Sequence, residues 1–198
     1  MVRIVFFFLV LFHTFSAFPV LAKAETPLEV LQSQEQTILA NATDDQKMQF
    51  QKIRVAHGTL RAVRDVRDSL TRAVKNCTAV TPDLKSDLDA SLKAWKKSVA
   101  PVIMRGQKQL DQMIVAQKFT TPIKMKAYLK QFDTVVDQSS QVEAEVPIKD
   151  KDACRAMQKN MDVSAKTMAG LMIETLGLDG PPAAKTNRDT QKPSIPTE

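Results

Sequence analysis

The chain has 198 residues, and its 28 Lys and Arg against 22 Asp and Glu give a net charge of +6. Both signs are interspersed, so the mild excess of positive charge gives no footprint for nucleic acid. With five glycines and few aromatics beyond the first two dozen residues, the composition excludes a sandwich of short strands joined by tight turns and favours helices.

The first 24 residues read as a secretory signal peptide. Arg3 supplies a positive start, residues 4–12 are an unbroken apolar run, and Ala22-Lys23-Ala24 is a small-x-small cleavage pattern. The rival reading is an uncleaved anchor, but the run is broken by His13, Thr14, Ser16 and Pro19, well short of the ~20 residues that span a bilayer. No cysteine lies near the cleavage position, which disfavours a lipoprotein. Cleavage before Glu25 removes Arg3 and Lys23 and leaves a chain of charge +4. The expectation is a periplasmic or secreted protein with no stable membrane insertion, made of a helical domain over residues 25–178 and a disordered Pro-rich tail over 179–198.

Three Thr-Pro pairs, at Thr26, Thr81 and Thr121, mark expected helix starts. A Thr N-cap accepts from an otherwise orphaned N–H, and Pro at the first helical position has no N–H to lose. The first helix, residues 27–40, carries Leu28, Leu31, Ile38 and Leu39 and is expected as a short outrider. The second, residues 44–77, repeats apolar residues at three- and four-residue steps from Ile53 to Cys77, with Arg67 on the seam and expected to pair with an acid of a neighbouring helix. The third, residues 82–118, places Leu88, Leu92, Trp95, Val99 and Leu110 on one stripe, with Pro101 expected to kink or split it. The stripe also makes Trp95 core, although Lys93, Lys96 and Lys97 flank it. The fourth, residues 122–145, buries Met125, Leu129, Phe132 and Val136. The fifth, residues 150–176, buries Met157, Met161, Met168 and Met172 and stops at Gly177.

Four long helices with short connections predict an all-α fold, an up-down-up-down four-helix bundle with an additional short N-terminal helix. In that arrangement Cys77 and Cys154 fall at one end on antiparallel neighbours. An oxidising compartment then favours one disulfide over free thiols or an intermolecular bridge.

No catalytic signature emerges. His57 is the only histidine beyond the leader, which leaves almost no material for triads or zinc sites. The methionines of the fifth helix read as adaptable core packing, and no cofactor is assigned. The alternative is a haem- or copper-binding bundle that uses His57 and those methionines. On the second helix Arg54, His57, Arg61 and Arg64 share one flank, and arginine engages carboxylate and phosphate through a planar fork. That flank is the candidate site for an anionic partner, an unknown protein or an anionic envelope component. The expected function is therefore that of an exported, non-catalytic binding protein. The competing reading is a solvated face laced with Asp65 and Asp68.

Overall fold

The computed structural model describes residues 24–140, 148 and 150–178. The expected leader before Ala24, the end of the fourth helix beyond Ser140 and the tail over 179–198 lie outside them. The described residues form five α-helices and no strand: α1 Pro27–Leu39, α2 Asp44–Val80, α3 Lys85–Ala116, α4 Pro122–Ser140 and α5 Lys151–Leu176. Among these residues no helix is long and apolar enough to cross a membrane.

The helix ends follow from local chemistry. Thr26 and Thr43 each accept from the backbone N–H three residues on, and Glu29 and Gln46 reach back to the cap N–H, two complete capping boxes. Thr121 caps α4 through the Lys124 N–H at 3.2 Å. The pair at Thr81 behaves differently. Its hydroxyl donates back to the Cys77 carbonyl at 2.8 Å and closes α2, while Pro82–Leu84 form a 3-10 turn ahead of α3. Gly177, at φ +61°, ends α5 in the left-handed conformation, and the Leu178 N–H reaches the Ile173 carbonyl at 2.9 Å. Arg105 of α3 donates to the Leu178 carbonyl, which ties the end of α5 down.

Three long helices make the main body. Trp95, fully buried, donates from Nε1 to Ser164 Oγ at 3.0 Å, and Lys151 pairs with Asp83, so α5 runs beside α3 in the same direction. Gly106 lets them close up: a Cβ there would stand 2.5 Å from Leu176 Cδ1 and 3.0 Å from Leu60 Cδ2. The same contact brings α2 alongside, antiparallel to both. Cys77 and Cys154, both buried, are joined at 2.07 Å across α2 and α5. Met161 and Met172 are buried in this core, and Met157 and Met168 pack against it.

α1 is the short N-terminal helix that the sequence predicts, added beside the longer ones. It pairs closely with α4, which also touches α3, and side chains join the two to α2, Glu35 to Arg54 and Asp133 to His57 and Arg61. Phe50 of α2 is buried between Phe119 and Tyr128, with ring centroids 6.1 and 5.0 Å away. Pro101 neither splits α3 nor ends it, since the helix runs unbroken from Lys85 to Ala116 with Pro101 on its exposed side.

Candidate functional site

The arginine flank of α2 arrives with its counter-charges supplied by α1 and α4. Arg54 donates to Glu35 of α1 at 3.2 and 3.4 Å and to Gln51 at 2.6 Å. Glu35 also accepts from the Tyr128 hydroxyl at 2.8 Å. Burial, and then this bond to a carboxylate, push the Tyr128 phenol up to about 12.

One turn on, His57 Nε2 lies 2.8 Å from Asp133 Oδ1 of α4. Arg61 places Nη1 3.2 Å from the same oxygen and Nη2 2.6 Å from Asp137 Oδ1. Its Nε is 3.3 Å from Asp65 Oδ2 but lacks the alignment of a hydrogen bond, so the contact there is electrostatic. Burial works against the Arg61 charge, and the hydrogen bonds to Asp137 and Asp133 outweigh it, holding the guanidinium above its ordinary value.

The four predicted flank residues therefore divide. Arg54, His57 and Arg61 form an internal seam that fastens α1 and α4 to α2. Arg64 is half-buried and makes no ion pair among the described residues. Arg67, expected to reach a neighbouring helix, instead pairs with its sequence neighbour Asp68 at 2.9 Å and is 41% exposed.

Sequence reasoning missed Glu35, Tyr128, Asp133 and Asp137. One signal was available: Asp133 and Asp137 repeat at the four-residue spacing of His57 and Arg61, so a one-turn ladder of carboxylates faces a ladder of nitrogen groups. The His57–Asp133 pair has the form of a base and its orienting acid, but among the described residues no hydroxyl or thiol hydrogen-bonds the ring. Of the residues expected for a haem or copper site, His57 turns Nε2 to Asp133, and Met161 and Met172 are buried in the core on α5. Among the described residues no cluster of three His, Cys, Asp or Glu side chains is placed to hold a metal ion.

A different surface is open. Gly106 is level with Leu176, the last residue of α5, whereas α3 continues ten residues further to Ala116 and α2 runs beside it. At ~1.5 Å per residue the α2–α3 seam extends about 15 Å past α5. α4 and the turn before it cover one side of this overhang, where Tyr128 and Phe119 pack on Phe50 of α2. The other side is a groove of about 890 Å³, lined on its apolar part by Met48, Val55, Ala56, Met113 and Leu176, with Gly177 at one end and Asp45 at the other. Met48 and Val55 are 57% and 51% exposed there. Four glutamines, 46, 49, 51 and 109, supply both donors and acceptors along the wall.

No family model, curated protein or solved structure matches the chain.

Proposed function

We propose that this is an exported, non-catalytic interaction protein, periplasmic or secreted, whose groove between α2, α3 and the end of α5 receives a segment of a protein partner. We read the four long helices as an up-down-up-down bundle on the same footing: the chain reverses direction from each to the next, and α1 is added on α4. One observation carries the functional reading: an apolar groove with exposed Met48 and Val55 lies where α5 ends and α2 and α3 continue. Unbranched methionines adapt to different apolar surfaces, and a helix or extended segment laid in a groove is a common recognition mode. The anionic-partner reading of α2 is supported only through Arg64, because Arg54, His57 and Arg61 already face acids. The leader supports export, and the buried disulfide fits an oxidising compartment.

The test places a photocrosslinking side chain at Val55 in one variant and at Ile123 in another. Ile123 is 81% exposed and lies off the groove. With native envelope or secreted material, discrete adducts from position 55 and not from 123 support the groove. Equal or absent adducts at both positions sink it.

A further inference from the structure

The outward side of α3 carries a second face with exposed apolar side chains, distinct from the groove. Met104 and Val115 are 67% and 70% exposed there, and with Lys108 and Asp111 they follow one another at steps of four, three and four residues. That spacing keeps a stripe in line along a helix, here for about 16 Å, on the side opposite the buried Gly106 and Leu110. Gln107 and Gln112 flank it, and among the described residues α3 alone lines it. A solvated helix face is ordinarily polar, so large apolar side chains left open at both ends of a polar centre mark a contact surface.

The side chains read alike from either end of the stripe. About a point midway between Gln109 and Leu110, Met104 mirrors Val115, Gln107 mirrors Gln112, and Lys108 mirrors Asp111. We propose that this face of α3 pairs with the same face of a second copy of the chain, antiparallel about a two-fold axis through that point. A two-fold contact brings one residue to its mirror position on the other copy and the mirror position to the residue, so each pair forms twice. Met104 of each copy then packs on Val115 of the other at the two ends. The glutamine amides, each both donor and acceptor, meet inside them, and Lys108 meets Asp111 at the centre.

Charge selects this occupant. Lys108 is exposed and makes no ion pair among the described residues, and Asp111 accepts from its own helix, from Gln107 Nε2 at 3.3 Å. The stripe holds one cation and one anion, so two copies meet there without the repulsion that their net positive charge imposes elsewhere. A parallel pairing in register would instead set Lys108 on Lys108 and Asp111 on Asp111. Contact over three helical turns buries less than a standard interface, so the pair is weak and assembles at high local concentration. The face shares no residue with the groove, and the two readings stand separately.

Sedimentation equilibrium of the exported, purified chain between ~1 μM and ~1 mM tests this, since a weak pair assembles over that range. A mass that climbs toward that of two copies is expected. Asp111→Lys sets cation against cation and Lys108→Asp carboxylate against carboxylate, so each alone should weaken pairing by ~tenfold or more. An equal mixture of the two variants should regain it, because every central contact is again between opposite charges. Both positions are exposed, so helicity should not change. With Cys77 and Cys154 already bonded, Met104→Cys mixed with Val115→Cys should give an intermolecular disulfide that neither variant gives alone. A chain that stays a single copy at ~1 mM overturns the proposal. So does a dimer that Asp111→Lys leaves intact, a mixture that pairs no better than either charge variant, or a crosslink that forms within one cysteine variant and not in the mixture.

Discussion

Arg61 and Arg64 sit one turn apart on the same helix face and do different work. Arg61 is 12% exposed and faces Asp65, Asp133 and Asp137, so truncation removes the cation that compensates two carboxylates of another helix. Arg61→Ala should cost ~2–3 kcal/mol, reduced from the fully buried case because Asp137 is largely solvated. Arg64→Ala should fall within ~0.5 kcal/mol of the parent. Urea unfolding of the two variants checks this, and equal losses would mean that the seam contributes no more than a solvated face. Tyr128 gives a pH-dependent counterpart. Its phenol is raised from 10 to about 12 by burial and the bond to Glu35, so the folded chain holds that proton more tightly than the unfolded one. The associated stability is complete below pH 10 and is lost as pH rises through about 12. Tyr128→Phe removes this term, so the stability curves of parent and variant should converge between pH 10 and 12. Curves that stay parallel would show that the phenol is not held protonated by its surroundings.

Most helix boundaries were legible in the sequence because they rest on local chemistry. Thr26, Thr43 and Gly177 act through neighbours three to five residues away, and apolar spacing identified Ile53, Leu88, Trp95 and Met161 as core. What packs against a face was not legible. Spacing put Arg54, His57 and Arg61 on one flank, but only the pairing of α1 with α4 brings Glu35 and Asp133 to them, a contact across 19 and 76 residues. The groove was equally hidden, since it depends on how far α5 reaches along α2 and α3. Pro101 was visible, and of its two expected consequences the break does not occur, because α3 passes through it with the proline on the solvent side. A proline in a helix interior costs on the order of 3 kcal/mol relative to alanine through the missing N–H and its ring. Part of that cost is relieved at an exposed position, so Pro101→Ala should stabilise by ~1–2 kcal/mol, read as a rise of several degrees in Tm. No rise would mean that α3 needs the local geometry of Pro101 to lie along α5.

At the scale of the molecule, the α2–α3–α5 body and the α1–α4 pair are fastened by different means. The second is joined by the Phe50 cluster and by ion pairs, the first by apolar packing and one covalent link. That link spans 77 residues of sequence and joins the end of α2 to the start of α5, with α3 and α4 inside the loop. Closing a loop of this length removes denatured-state entropy worth roughly 4.5 kcal/mol in the chain-entropy model. Folded domains are stable by ~5–15 kcal/mol, so the link is a large share of the total. Both sulfurs are fully buried, and Lys151 pairs with Asp83 beside them, so reductant has no path to the bond until that end opens. Two results should follow. Under native conditions the bond should resist reductant, and reduction should track the unfolding transition as urea is raised. Replacing both cysteines by alanine should lower unfolding free energy by ~4 kcal/mol or more, since the lost sulfur packing adds to the entropy term. Denatured, unreduced protein that takes up two equivalents of thiol reagent would refute the bridge. A double variant that loses less than ~1 kcal/mol would show that the unfolded chain already keeps these two helix ends together, so that the link constrains little.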